Sequence, residues 1–131
     1  MAESFFGKVE KIYEKDPRYK PDAYEFVMQA LFFTQKHLKR EGHVSAEELL
    51  NGIKEFTLEQ FGPMAHTVLE HWGIKNTDDF GNIVFNMVEN GLLKKTDEDN
   101  IEDFKKAYDL KKEFEVGYRR RLEKLIKDQK L

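Results

Sequence analysis

Apolar residues along this chain recur at intervals of three and four, and the pattern breaks at glycines, prolines and short polar runs, which predicts a series of amphipathic helices. The first covers residues 4–15, with Phe5, Phe6, Val9, Ile12 and Tyr13 on one side. It stops before Asp16 and Pro17. The loop DPRYKP that follows carries two prolines, which fix φ and bias the residues before them toward extended conformations. Asp22 begins a second helix as its cap, with Glu25 completing a capping-box pattern. Tyr24, Val27, Met28, Leu31 and Leu38 give that helix a broad core face, widened by Phe32 and Phe33. Gly42 ends it. Ser45 with Glu48 opens a third helix bearing Leu49, Leu50, Ile53, Phe56 and Phe61.

The centre of the chain, Pro63 to Leu93, reads as two short helices joined by a glycine turn. Pro63 suits a first helical position with Gly62 as cap, and the helix runs to about Trp72, an expected core residue. Gly73 then takes the C′ position, where a left-handed backbone is needed. This puts Ile74 at C″ and Leu69 at C3, the pair that meet in a Schellman ending. Thr77 caps the next helix, with Asp78 and Asp79 in its first turn and Phe80, Ile83, Val84, Met87 and Val88 on its buried face. Asn90 and Gly91 stop it. A helix pair of this kind matches a helix-turn-helix, and its Gly-Leu-Leu ending at residues 91–93 resembles the step into the first wing strand of winged-helix domains. The segment KKTDEDNIEDF is polar, and Ile101 and Phe104 do not alternate as a strand should, so any wing is short or degenerate. Asp99 with Glu102, or Asp109, caps a final helix with Leu110, Phe114, Tyr118, Leu122 and Leu125, kinked at Gly117.

The expected fold is therefore mostly α: one compact helical domain over residues 1–131 containing a helix-turn-helix or degenerate winged-helix-like unit, with a C-terminal helix. Residues 1–44 form an N-terminal helical pair, 45–104 the helix-turn-helix-like unit and 105–131 a basic helix or tail. A chain of 131 residues buries about two thirds of its unfolded surface, and eleven phenylalanines supply large pieces for the core. Cysteine is absent, which removes disulfides and thiolate metal sites and makes a reducing cytoplasm the expected location. No signal peptide and no bilayer-length apolar run is read, so no membrane association is expected.

Charge changes the picture more than composition does. The net charge of −3 conceals an acidic centre, with Lys54 and Lys75 facing eight acidic residues between Ser45 and Gly91. It also conceals a basic end, with ten basic and five acidic residues between Lys105 and Leu131. An acidic presented helix is the reverse of one built to meet phosphates.

Candidate chemistry is sparse. Asp79-Phe80-Gly81 spells the kinase magnesium motif without the phosphate loop or catalytic loop that would give it meaning. His66 and Glu70 share a helical face, yet two ligands from one helix make half a metal site, and a surface ion pair is the plainer reading. Glu59, Glu70 and Asp79 offer carboxylates without a buried pairing, and no serine, threonine or lysine stands in a nucleophile context. No catalytic, metal or cofactor residue is assigned, and an enzyme is not expected.

The leading expectation is a protein-interaction or scaffolding module. Its contacts are Arg18 and Tyr19, held between two prolines, and Asn82, Asn86 and Glu89 on the exposed side of the fifth helix. The plainer alternative packs Tyr19 on the second helix and pairs Arg18 with Asp16 or Glu25. A second class is a winged-helix-like nucleic-acid binder or transcription regulator, leaning on Lys94, Lys95, Arg119, Arg120, Arg121 and Lys124. A third is a small-molecule sensor or enzyme using an aromatic-lined pocket between the second and fifth helices. The oligomeric state stays open.

The stretches DPRYKPDAYEFVMQAL at residues 16–31, FGPMAHTVLEHWGI at 61–74 and DFGNIVFNMVENGLL at 79–93 together resemble a family of short prokaryotic proteins of unknown function. The resemblance runs from Phe5 to about Phe114, and the basic run GYRRRLEKLIKDQKL extends past it. It implies kinship and brings no activity, cofactor or site residue with it.

Overall fold

Local capping chemistry sets the element boundaries. In the computed structural model, which describes residues 3–94 and 100–131, Ser4 caps α1 (Phe5–Lys15) by accepting the Gly7 N–H at 3.0 Å. α2 (Pro21–His37) starts one residue before the expected Asp22 cap. Pro21, with its φ already set, opens the helix, Lys20 precedes it without a side-chain cap, and Asp22 sits inside the first turn. α3 (Ala46–Phe61) has the full Ser45–Glu48 capping box. α3 then passes through a 3₁₀ turn at Gly62–Met64 into α4 (Ala65–His71), so Gly62 closes α3 instead of capping the next helix, and Pro63 lies in the turn and not at the first position of α4.

α4 ends as its sequence predicts. The Gly73 N–H donates to Glu70 O at 3.0 Å and the Ile74 N–H to Leu69 O at 2.9 Å, the two bonds of a Schellman motif. α5 (Thr77–Glu89) is capped by Asn76 in a reciprocal box with Asp79. Thr77 is the first residue inside the helix. Its hydroxyl instead accepts the Ala107 N–H at 3.0 Å, and Asp78 Oδ1 accepts the Lys106 N–H at 2.9 Å. α6 (Leu110–Lys127) starts on Asp109, which accepts the Lys112 N–H at 2.9 Å, whereas Asp99 and its alternative cap lie outside the described residues.

No strand forms among the described residues. Ile101–Phe104, where part of a wing would fall, is a 3₁₀ turn capped by Asn100, and it carries Phe104 into the core. Gly81 lets that turn come close, because a Cβ there would lie 2.8 Å from Phe104 Cβ.

α2 is the central element, packed against α1, α3 and α5. Its inward side chains Tyr24, Val27 and Ala30 are buried with Ile53 of α3 and Phe80, Ile83 and Met87 of α5. Each large apolar side chain so buried contributes about 2 kcal/mol. α3 lays its backbone at Gly52 directly on the Thr34 side chain of α2, where a Cβ would lie 2.8 Å from Thr34 Cβ. Thr34 adapts by turning its hydroxyl back onto Ala30 O at 2.7 Å. At one end Phe26, Phe56, Phe61 and Trp72 form an aromatic cluster, with Phe26 5.1 Å from Phe56 and 5.3 Å from Trp72 between ring centres.

α6 lies on α3 through Leu110 and Phe114. The helix is continuous through Gly117, where the sequence suggested a kink. The glycine provides clearance instead: a Cβ there would fall 2.7 Å from Leu58 Cδ1. Tyr118 still packs on the body, and every residue from Arg119 to Leu131 is exposed.

Candidate functional site

Three places on this fold combine chemistry with geometry. The first is a polar cluster in which four of the five expected partner-contact residues meet. Tyr19 turns inward from the proline loop and is 1% exposed. Its hydroxyl donates to Asp79 Oδ1 and accepts from Asn82 Nδ2 at 3.0 Å. Asn86, one turn further along α5, donates Nδ2 to Asp16 Oδ2 and to the Tyr24 hydroxyl, both at 3.0 Å. Arg18 stays at the surface and closes a fork on Asp16, with Nε 2.9 Å from Oδ1 and the terminal nitrogen 2.8 Å from Oδ2. Asp79 has a further task, as its Oδ2 accepts the Lys75 and Asn76 backbone N–H groups at 2.8 and 3.1 Å.

The electrostatics follow from these partners. The Arg18 hydrogen bond, with those of Asn86 and the Arg18 backbone N–H, holds the Asp16 carboxyl down to about 2. Burial, then the Asp79 carboxylate, pushes the Tyr19 hydroxyl well above its usual range, and burial raises Tyr24 too. Asp16 is therefore ionised and both tyrosines protonated across the neutral range. Chemically the cluster is a clasp: it fastens the loop between α1 and α2 to the start and middle of α5. The main chain adds to it, with the Lys20 N–H donating to Trp72 O at 3.0 Å. Glu89 is exposed and lies outside this cluster.

The second place is the distal half of α6. A face that packs Leu110, Phe114 and Tyr118 onto the body continues into Leu122, Leu125 and Ile126, which are 42%, 60% and 60% exposed. These three fall within about 100° of arc on the helix. Around them stand Arg119, Arg120, Arg121, Lys124 and Lys127. Arg119 reaches Glu115 at 3.3 Å, and Arg121 reaches Glu55 of α3 at 3.7 Å. Of the expected nucleic-acid contacts, Lys94 lies far along the chain from this helix and is exposed, and Lys95 is outside the described residues. The basic residues were legible in the sequence. The exposure of Leu122, Leu125 and Ile126 was not, because their spacing is that of a covered face.

The third is a groove of about 460 Å³ between the C-terminal part of α2 and α5. Val84, Phe85 and Val88 form one wall, Leu31 and Leu49 another, and Lys94 stands in its lining. Elsewhere, His66 Nε2 lies 3.5 Å from Glu70 Oε1, an i to i+4 ion pair whenever the imidazole is protonated. No group of three or more potential metal ligands forms among the described residues, and none of their helices is long and apolar enough to cross a membrane.

No protein-family model, curated protein or solved structure matches this chain, so the residues above carry no role transferred from a relative.

Proposed function

We propose that this chain is a non-enzymatic protein-interaction module whose contact element is the distal half of α6. The observation that carries the reading is the run of Leu122, Leu125 and Ile126 standing in solvent on a helix otherwise rich in cations. Protein interfaces have this composition: an apolar centre, with arginine prominent, ringed by polar groups. Arg119 to Leu131 holds six basic and two acidic residues, so the fitting partner presents an acidic surface with an apolar strip. On this reading α4, the turn and α5 have the outline of a helix-turn-helix used as scaffold, and the cysteine-free chain works in the cytoplasm.

A second reading, a winged-helix-like nucleic-acid binder, is favoured by the same cations. Two features weigh against it. α5, which would be presented to the duplex, has no lysine or arginine, and its Asn82 and Asn86 side chains are committed to Tyr19, Tyr24 and Asp16. An exposed Leu-Leu-Ile strip also has nothing to gain from phosphates.

Capture experiments with two variants separate the readings. Leu122→Ser, Leu125→Ser and Ile126→Ser together should abolish retention of a protein partner. At about 1 kcal/mol for each buried side chain, the loss is roughly 100-fold or more. Arg120→Gln with Lys124→Gln and Lys127→Gln should weaken it less and mainly at low salt. Unchanged retention by the Ser variant would overturn the proposal. Duplex binding by fluorescence anisotropy that is lost in the Gln variant and kept in the Ser variant would establish the second reading.

A further inference from the structure

The groove between α2 and α5 is independent of the α6 tail, and it has a chemical character of its own. Its α5 wall lies beside the helix's core stripe: Phe80, Ile83 and Met87 point inward, while Val84 and Val88, four residues apart, are half-buried and Phe85 is 44% exposed. The apolar face of α5 is thus wider than the core can cover. The surface left over is concave because the Ile101–Phe104 turn seats against Gly81 and the loop from Gly42 to Val44 closes the far side. The volume of about 460 Å³ falls in the range of small-molecule sites, which are mostly apolar with a few fixed polar groups.

The polar groups identify the head of the ligand. The chain has 25 acidic residues, yet none lines the groove among the described residues. The ionisable side chains that do line it are Lys94 and His43, and the neutral ones are Gln35 and Asn100. Gln35 is already fixed, with its Nε2 donating to Gly42 O at 2.7 Å. A site lined in this way accepts hydrocarbon within and an anion beside Lys94 at its rim.

We infer that this groove binds a single-chain aliphatic carboxylate, of the fatty-acid class, with its chain along Val84, Val88 and Leu31 and its carboxylate toward Lys94.

The full-length protein titrated calorimetrically with dodecanoate, kept below its micelle concentration, tests the inference. Saturable one-to-one binding is expected. Each methylene removed in the series from dodecanoate to octanoate should weaken it about four-fold, the change set by burying one CH₂ group. Lys94→Gln should weaken dodecanoate binding about ten-fold and leave 1-dodecanol unaffected. Phe85→Asp, at a position 44% exposed, should weaken dodecanoate by at least about ten-fold through like-charge repulsion at the rim. Absence of saturable binding would overturn the inference. So would a flat chain-length series, equal or tighter binding of dodecyltrimethylammonium, or indifference to Phe85→Asp. Any of these results leaves the α6 reading standing, since no residue is shared.

Discussion

Gly73 combines two demands that can be separated by substitution. Its φ of +93° is the left-handed region, and its α-carbon faces the loop so closely that a Cβ would overlap the Arg18 carbonyl oxygen and lie 3.3 Å from the Arg18 carbonyl carbon. Gly42 has nearly the same φ, +91°, with nothing within 4 Å of the Cβ position. Gly42→Ala therefore measures the backbone demand alone. The left-handed conformation costs about 1 kcal/mol, partly offset by the smaller entropy of the unfolded alanine chain, so the net loss is roughly 0.5–1 kcal/mol. Gly73→Ala bears that cost and must also push the loop outward. Displacement breaks the Lys20 to Trp72 hydrogen bond, worth about 1 kcal/mol, and loosens the fully packed Tyr19 with its hydroxyl partners, worth about 1–2 kcal/mol more. The expected loss is about 2.5–4 kcal/mol, a large part of the stability of a domain this size. Urea titrations followed by the fluorescence of Trp72, the only tryptophan, and by far-ultraviolet circular dichroism give both numbers. If the two variants unfold at the same urea concentration, the clasp does not hold the loop against α4.

Other consequences of the clasp and the core can be measured in the same way. Tyr19→Phe leaves Asp79 without its hydroxyl donor and Asn82 without an acceptor, and should cost about 1–3 kcal/mol in urea unfolding; a change under about 0.5 kcal/mol would contradict the network. Asp16, held near 2 against an ordinary 3.8, stabilises the fold above its unfolded value, and that contribution disappears as pH falls through its folded value. After allowance for screening at a partly exposed site, it is about 1 kcal/mol. The stability gap between wild type and Asp16→Asn should accordingly be constant above about pH 5 and close between about pH 4 and pH 2. Gly52→Ala, whose Cβ would meet Thr34, should lose about 2–3 kcal/mol, and Thr34→Ala in the same chain should restore part of it. The α6 Ser variant should unfold within about 0.5 kcal/mol of wild type, because its three positions are exposed.

Much of the helical framework was legible because its signals are local. Gly73 with Leu69 and Ile74, Ser45 with Glu48, and Asp109 before Leu110 each act within one helical turn, and the structure forms them as expected. Where two local signals compete, tertiary contacts decide. Asn76 and Thr77 are both good caps, and Thr77 is released from that role by a bond to Ala107 that no local pattern reveals. Gly117 shows the same limit, since a helical glycine reads as a kink until Leu58 appears beside it. The clasp was the least legible feature. Tyr19 and Asp79 stand 60 positions apart, and one sequence gives no sign that the loop residues Arg18 and Tyr19 and the α5 residues Asn82 and Asn86 belong to one hydrogen-bonded set.

The bond from the Lys20 N–H to Trp72 O also bears on how the molecule opens. A surface connector ordinarily frays by itself and exchanges its amide protons with solvent within seconds. Here the acceptor belongs to the end of α4, and the loop is trapped while α5 stays docked. The Lys20 amide should therefore exchange only when the whole domain comes apart, keeping pace with Ile53 and Ile83 in the core. The amides of the last turns of α6, helical but resting on nothing, should exchange far sooner. A short proline loop would then report the global stability of this protein, and one of its longest helices would not.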